Sequence, residues 1–444
     1  MKQIYVATFG CQMNEYDSSR LIHLLSGHGY TSTSDPEQAD VIFINTCTIR
    51  GKAQQKVNSL LGRLRRLKAI NPDLLLAVGG CVAQQEGAKL FEQAPYVDIV
   101  IGTHELHRLP AILEQVAQTR RSVCQVDFSY RLPLAEDMKS STPPGLSKIA
   151  NFLTIMQGCD NFCAYCVVPY VRGREISRPA DDILAEARRL VEEGAREIIL
   201  LGQNVNSYGH GLEPEISFAE LLKRMAALSG ILRLRFTTSH PKDLSPDLIR
   251  VMVELPTVAE HVHLPLQSGS DNMLNAMRRR YTRGDYLAKV EALRTVCPEM
   301  AITTDIIVGF PGETDDDFEQ TLALVRQVRF DGMYSFMYSD RPRTLAAGLE
   351  NKVPDKIKAE RLAILQNMQK SITLECNQTL IGRRMEVLVE GRSNRYKTQL
   401  TGKTRGNKIV NFNGSDDLIG CLVHPLITEA WPNSLLGKIE ENQK

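Results

Sequence analysis

A chain of 444 residues with 43% hydrophobic and 24% charged residues is long enough for two or three cored domains, and this composition excludes extended disorder. The formal net charge is +1, so a nucleic-acid partner has to be met by a local basic patch rather than by the whole molecule. The start "MKQIYVATFGCQ" has no long apolar signal region and no run of about 18 apolar residues follows, so the expectation is a cytoplasmic protein with no membrane partner.

Strand and helix patterns alternate from the beginning: "QIYVATFG", "SSRLIHLLSGHG", "DVIFINTC", a long basic helix, "LLLAVGGC" and "VDIVIGT". This spacing predicts an open parallel α/β sheet. Cys11 follows "VATFG", Cys47 follows "IFINT" and Cys81 follows "LAVGG", so each falls at the carboxyl end of a strand. Those ends lie along one edge, where such sheets bind ligands, and three cysteines remote in sequence are expected to converge there as a shared metal site. In a reducing compartment clustered cysteines read as ligands rather than as a disulfide framework.

Residues 128–148 lose periodicity and collect Pro, Ser and Lys, which predicts a linker over 129–145. Six strand candidates follow, "FLTIMQG", "REIILLGQN", "LRLRFTTSH", "HVHLPLQS", "ITTDIIVGF" and "GMYSFMYS", separated by helical stretches. Six β/α units suggest an incomplete barrel of the TIM type with its chemistry at the carboxyl ends of the strands. Cys159, Gln203, Asn204, Ser239, His240, Gln267, Ser268 and Asp305 gather at those ends. For Ser239, His240 and Gln267 a substrate role and a barrel-lining role are equally open. Arg172 and Arg174 could contact a carboxylate or phosphate, or pair with Glu175.

From about Lys370 apolar and polar residues alternate between glycine-bearing turns, which predicts a small antiparallel β-barrel. Arg383, Arg384, Arg392, Arg395, Lys397, Lys403, Arg405 and Lys408 face only Glu386 and Glu390 there, with Tyr396 and Phe412 nearby. This suits a module that contacts a nucleic-acid backbone and stacks on bases.

Cys159, Cys163 and Cys166 form a C-x-x-x-C-x-x-C triplet after the first barrel strand. Structural zinc needs four ligands, usually in two pairs, and no second pair follows. A redox C-x-x-C leaves Cys159 unexplained. A four-iron cluster held by three thiolates keeps one iron free for a substrate or cosubstrate. Cys124, Cys297, Cys376 and Cys421 read as ordinary core or surface residues.

The triplet, with Tyr165 just before its last cysteine, resembles the signature of radical S-adenosylmethionine enzymes. Together with "FGCQMNEYDS", "INTCTIR", "AVGGCVAQ", "LLGQNVNSYG", "TTSHP", "HLPLQSGS", "MRRRYTR" and "TDIIVGFPGET", the chain resembles the methylthiotransferase family over nearly its full length. The resemblance implies an N-terminal domain over 1–128, a radical barrel over 146–372 and a C-terminal TRAM domain over 373–440. It implies two 4Fe-4S clusters, one on Cys159, Cys163 and Cys166 and an auxiliary one on Cys11, Cys47 and Cys81. It also implies two S-adenosylmethionine molecules per turnover, with contacts from Tyr165, Gly202, Gln203, Asn204, Asp305 and Val308. In that family the open iron is chelated by the methionine moiety, and an electron from the cluster yields the 5'-deoxyadenosyl radical. The implied reaction is methylthiolation at C2 of N6-isopentenyladenosine beside the anticodon of tRNA. The implied partners are the tRNA anticodon stem-loop and an electron-donor protein such as flavodoxin or ferredoxin, and the chain is expected to be a monomer. Methylthiotransferases acting on threonylcarbamoyl-adenosine or on a ribosomal-protein aspartate share this chemistry, but "GCQMN" favours the isopentenyladenosine type. An RNA-binding protein with structural or redox-sensing clusters is the reading from another class. Ser19, Gly51 and Arg343 depart from the usual family pattern.

Overall fold

The computed structural model describes residues 1–48, 51–128, 149–393 and 395–439; of residues 51–56 and 58 only the backbone is described. The linker expected over 129–145 lies outside the described residues.

The N-terminal layer runs β1 (Lys2–Thr8), α1 (Gln12–Ser26), β2 (Tyr30–Ser32), β3 (Val41–Thr46), α2 (Gly51–Ile70), β4 (Leu75–Gly80), α3 (Cys81–Glu86), α4 (Lys89–Gln93), β5 (Ile99–Ile101), α5 (Leu109–Thr119) and β6 (Val123–Gln125). Its six strands are parallel, in the order β2-β1-β3-β4-β5-β6. The unbroken apolar runs of β3 and β4 follow from burial on both faces: Val41 and Phe43 point into one helix layer, Ile42 and Ile44 into the other. The strand order reverses between β1 and β3, the crevice where open sheets take ligands.

The middle of the chain runs β7 (Ala150–Thr154), β8 (Met156–Gln157), α6 (Val168–Val171), β9 (Ile176–Ser177), α7 (Ala180–Glu192), β10 (Glu197–Leu201), α8 (Phe218–Ala226), β11 (Arg233–Phe236), α9 (Pro246–Glu254), β12 (His261–His263), α10 (Asp271–Ala276), α11 (Arg283–Val296), β13 (Ala301–Val308), α12 (Asp315–Val328), β14 (Gly332–Met337) and α13 (Asp355–Gln378). Two parallel sheets, β11-β10-β7 and β12-β13-β14, are joined by a bridge between Leu234 and Val258. The result is the six-stranded incomplete barrel that the sequence suggests. Alternate strand residues, including Ile198, Leu200, Leu234, Phe236, Ile302 and Ile306, pack outward against the helices. Capping boxes at Thr282 with Asp285 and at Thr314 with Asp317 fix where α11 and α12 begin, each worth ~1 kcal/mol.

The C-terminal unit comprises β15 (Val387–Arg392), β16 (Gln399–Thr404), β17 (Ile409–Asn413), β18 (Leu422–Val423), β19 (Leu426–Ala430) and β20 (Leu435–Lys438), in the order β18-β15-β16-β17-β20-β19. The pairing is antiparallel, as expected, except that β17 and β20 run parallel. Phe412 is fully buried in this unit's core and offers no ring to a base, whereas Tyr396 is exposed.

This unit docks at the amino ends of the barrel strands. Arg233, the first residue of β11 and fully buried, donates to the carbonyl of Lys403 at 2.8 Å and to Glu386 at 2.8 Å. Arg235 donates to Glu197 at 2.9 Å and to the carbonyls of Thr404 and Arg405 at 3.2 and 3.0 Å. Arg405 in turn donates to Glu260 at 2.5 Å and to the carbonyls of Pro256 and Val258, both at 2.7 Å. Lys408 pairs with Asp331 at 2.8 Å. Arg405 and Lys408, counted in the basic surplus, are therefore committed to holding two domains together.

Candidate active site at the barrel mouth

Cys11 is the N-cap of α1, Cys47 follows β3, and Cys81 opens α3, so the three sit at the carboxyl ends of three adjacent strands. Gly10, at φ +142°, lies so close to Cys47 that a Cβ there would stand 2.4 Å from the cysteine's own Cβ. Gly80, at φ +90°, brings its backbone against Thr46, whose carbonyl oxygen would be 2.4 Å from a Cβ. Below the thiols a buried network fixes the turns. Asn14 donates to Asn45 Oδ1 at 2.7 Å and to the Thr46 carbonyl at 3.0 Å, while Asn45 donates back to the Asn14 carbonyl at 3.0 Å. A hydrogen bond with Cys47 draws the Cys11 thiol down to about 6, against its burial. Burial pushes the Cys81 thiol up, and the Arg172 guanidinium opposes that shift.

The second triple lies on the loop after β7 and β8. Cys159 and Cys163 are buried, and the Cys166 N–H donates to the Cys163 carbonyl at 2.9 Å, closing the turn that points the thiols inward. Asn161 Nδ2 donates to Cys159 Sγ at 3.4 Å and Arg279 Nη1 donates to Cys163 Sγ at 3.3 Å. Burial first, and then charge on neighbouring thiolates, raises Cys159 to about 11 and Cys166 to about 12. Such thiols stay protonated at neutral pH unless a bound metal group deprotonates them.

Among the described residues no three His, Cys, Asp or Glu side chains stand close enough to hold a single metal ion. A further observation fits a sulfur-ligated group: beside the first triple, Nη1 of the fully enclosed Arg172 has no hydrogen-bond partner among the described residues.

The two triples come close to each other. Cys81 packs against Val167 and Val171, and Val167 is the residue after Cys166. Met13 and Tyr16 of α1 pack on Ile199 and Leu201, which lie on the face of β10 opposite the helix-covered Ile198 and Leu200. Tyr16 hydrogen-bonds Glu186 at 3.1 Å and Arg178 pairs with Glu186 at 2.7 Å, a buried seam that seats the sheet domain on the barrel's first edge. On the loop after β14, burial lowers the Arg341 guanidinium below its usual value, and Cys47 lies near enough to oppose that shift. The N-terminal sheet domain is thus seated on the barrel at the β7–β10 edge.

Most of the other residues singled out in the sequence line this mouth. Gln203 Oε1 accepts from the Gly158 N–H at 2.5 Å and so braces the residue before Cys159. Gly202 has no room for a side chain, since a Cβ would stand 2.5 Å from Met156. Asn204 is fully buried, donating to Asp243 at 2.7 Å, and its Oδ1 has no partner among the described residues. Asp305 faces the lumen with its carboxylate 3.4 Å from His263 Nε2. The hydroxyl of Tyr165 accepts from Arg279 at 3.3 Å. Val308 can meet a ligand there only through its backbone, since on β13 the even-numbered Ile302, Ile306 and Val308 point outward into the helix layer. Ile307 is the lumen-side residue and clusters with Tyr165 and Phe310. Strict alternation from Asp305 would have found it.

His240 is buried, with Nδ1 accepting from the Lys242 N–H at 3.3 Å and its ring 5.5 Å from that of Tyr281; burial drops it to about 2, so it remains a neutral wall residue. Ser239 keeps a buried Oγ with no partner among the described residues. Gln267 spans the strand ends through its backbone, donating to the Asp305 carbonyl at 2.8 Å and accepting from Ile307 at 3.0 Å. Ser268 is buried with its Oγ 3.3 Å from Thr321 Oγ1. Neither Arg172 nor Arg174 pairs with Glu175: Arg172 pairs with Asp17 at 2.8 Å and Arg174 with Asp160 at 2.6 Å. Arg279, which lies within "MRRRYTR" but was given no role there, touches both Cys163 and Tyr165.

Comparison with known proteins places this geometry. Residues 3–102 match the model of an uncharacterized protein family, UPF0004, residues 153–325 match the radical SAM superfamily, and residues 378–439 match the TRAM domain. The chain is 49% identical over 438 residues to a tRNA-2-methylthio-N(6)-dimethylallyladenosine synthase of Syntrophus aciditrophicus, covering 99% of this chain and 94% of that one. It is 52% identical to the Syntrophobacter fumaroxidans protein of the same name, covering 99% and 96%. Among solved structures, the radical S-adenosylmethionine methyltransferase TsrM from Kitasatospora setae superposes with a TM-score of 0.56 at 14% identity, covering 78% of this chain and 75% of that one. That likeness shows the fold alone. No described helix is long and apolar enough to cross a membrane.

Proposed function

From the premise that this chain belongs to the family of tRNA-2-methylthio-N(6)-dimethylallyladenosine synthases, radical SAM enzymes that carry a 4Fe-4S cluster and use S-adenosylmethionine, we propose that it transfers a methylthio group to C2 of N6-isopentenyladenosine beside the anticodon of tRNA. One observation carries the reading beyond the family match: two thiol triples, from separate domains, are brought together where Cys81 packs on Val167 and Val171 beside Cys166. Radical generation and sulfur delivery are separate tasks, and a chain that performs both needs two centres facing one substrate atom.

Cys159, Cys163 and Cys166 would hold one 4Fe-4S cluster, and Cys11, Cys47 and Cys81 a second. When bound, these clusters and two S-adenosylmethionine molecules per turnover supply the electron, the hydrogen-abstracting radical, the sulfur and the methyl group. The chain's own part is placement. Gln203 pins the loop at Gly158, and Asn204 Oδ1 offers a free buried acceptor to the amino end of the cosubstrate. Tyr165 and Ile307 give apolar surface on the adenosine side, with Asp305 as the lumen carboxylate. Gly202 and the backbone of Val308 let the ligand approach closely.

The tRNA must reach the mouth from a C-terminal domain docked at the opposite end of the barrel. The free edge of β14 offers the path: a groove of about 740 Å³ runs between it and the C-terminal unit, lined by Tyr334, Phe336, Lys370 and Asn407. Exposed Tyr334 and Phe336 suit stacking on unpaired bases of a loop. An external single-electron donor such as flavodoxin or ferredoxin, a monomeric state, a cytoplasmic location and domain limits at 1–128, 146–372 and 373–440 complete the reading.

The test is nucleoside mass spectrometry of tRNA incubated anaerobically with reconstituted protein, S-adenosylmethionine, sulfide and a strong reductant, with isopentenylated and unmodified tRNA side by side. A methylthio product on the isopentenylated tRNA alone is the expected result. Cleavage of S-adenosylmethionine with neither tRNA changed would reject this substrate.

A further inference from the structure

Residues 171–174 form a strap that touches both thiol triples. On the radical side, the Cys159 N–H donates to the Gly173 carbonyl at 3.2 Å. Gly158, at φ +82°, is pressed so closely on the strap that a Cβ would stand 1.9 Å from the Arg174 carbonyl oxygen. On the N-terminal side, Thr103 donates to the Val171 carbonyl at 2.7 Å and His104 Nε2 lies 2.9 Å from the Arg172 carbonyl oxygen. Arg172 itself leaves the barrel and enters the sheet domain, where its Nη2 donates to Asp17 at 2.8 Å.

Only 3% of Arg172 is exposed, and its Nη1 has no partner among the described residues. An unmade hydrogen bond on a buried charged donor costs more than on a neutral one, and the sulfur within reach of the guanidinium is that of Cys81, whose ionised form Arg172 favours through its charge and a hydrogen bond. The groups whose charge acts on Arg172 are Asp17, Cys81 and Cys11. One carboxylate neutralises the guanidinium in the bare chain. Two thiolates and the sulfur face of a bound group add negative charge that a single buried cation then offsets.

We propose that Arg172 is a positioning residue of the auxiliary centre: a barrel-borne cation, held by Asp17, that offsets the charge on Cys11 and Cys81 across the domain boundary and directs Nη1 to a sulfur of the group they hold. The inference rests on the reading that Cys11, Cys47 and Cys81 carry a cluster. Because the same strap is bonded to Cys159, Arg172 also fixes the approach of one centre to the other. A nearby cation stabilises the more negative, reduced form of a cluster, and hydrogen bonds to its sulfurs act in the same sense.

The experiment uses the full-length reconstituted chain with Cys159→Ala, Cys163→Ala and Cys166→Ala, so that only the auxiliary centre loads, and follows a redox titration by EPR. If this background chain binds no iron, the auxiliary-cluster reading fails before Arg172 is tested. With iron bound, Arg172→Gln is expected to move the midpoint potential to more negative values and Arg172→Lys to restore most of it. An unchanged potential in an iron-loaded Arg172→Gln chain overturns the proposal. Where Arg172→Gln does not retain iron, Arg172→Lys decides: iron held at the parent potential supports the role of the charge, and loss of iron with lysine as well overturns it.

Discussion

Arg279 Nη1 donates to Cys163 Sγ at 3.3 Å while Nη2 of the same guanidinium donates to the Pro265 carbonyl at 2.8 Å, so a buried cation ties a cysteine of the radical loop to the end of the fourth barrel strand. Its Nε also donates to the Tyr281 hydroxyl at 3.0 Å. Every contact is internal, and burial, which works against the charge, is outweighed by the neighbouring Tyr165, Tyr281 and Cys163, which hold the guanidinium well above its usual value.

Arg279→Met is therefore expected to cost about 2 kcal/mol through the lost charge-assisted bonds to Pro265, Tyr281 and Cys163. It should also slow cleavage of S-adenosylmethionine. Anaerobic urea melts and a 5'-deoxyadenosine assay measure the two effects. Wild-type stability with wild-type cleavage would show that the contact carries neither.

The basic residues of the C-terminal unit separate into two groups. Arg405→Ala removes the bonds to Glu260, Pro256 and Val258 and is expected to destabilise the domain junction by about 2 kcal/mol while leaving the salt dependence of tRNA binding intact. Arg395 lies over the exposed ring of Tyr396 at 5.3 Å. Arg395→Ala is expected to lower the slope of log affinity against log salt by about 1 if one phosphate contact is lost. Filter binding across a salt series distinguishes the two behaviours.

Stability should fall as the solution is acidified. Burial holds His240 at about 2 and pushes His261 well below 6.5, so both stay neutral when folded and take up protons when unfolded. Their contribution is complete above the unfolded value near 6.5 and is lost as pH drops below it. Each group should cost about 1 kcal/mol between pH 6.5 and 5.5. Urea midpoints of the parent and of His261→Gln over that range check the sign, and an unchanged slope in the variant would remove His261 from the account.

Arg343 occupies the left-handed region at φ +67° and its side chain is exposed. Relief of a Cβ clash in that conformation is worth ~1 kcal/mol, partly offset by the greater freedom of glycine in the unfolded chain. Arg343→Gly is expected to be neutral to stabilising by less than about 1 kcal/mol. A clear loss of stability would mean that the guanidinium makes a contact of its own.

What the sequence made legible was whatever depends on local period. Parallel-sheet runs placed Cys11, Cys47 and Cys81 at adjacent strand ends, and six apolar segments announced the barrel. Facing was harder. Val308 reads as part of the same motif as Asp305, yet the two-residue period of β13 turns it outward and leaves Ile307 in the lumen. Phe412 sits among polar neighbours in sequence but on the inner face of β17 in space. The roles of Arg279 and Arg405 were not legible, although both fall in stretches the sequence singles out, because Cys163 lies 116 residues from Arg279 and Glu260 lies 145 residues from Arg405, and burial of a cation leaves no trace in composition.

The most direct measurement is iron and acid-labile sulfide per chain after anaerobic reconstitution, for the parent and for two full-length triple variants, Cys11/Cys47/Cys81→Ala and Cys159/Cys163/Cys166→Ala. Two independent centres predict roughly eight irons in the parent and roughly four in each variant, one cubane apiece. Roughly four irons in the parent, unchanged by loss of Cys11, Cys47 and Cys81, would contradict a second centre.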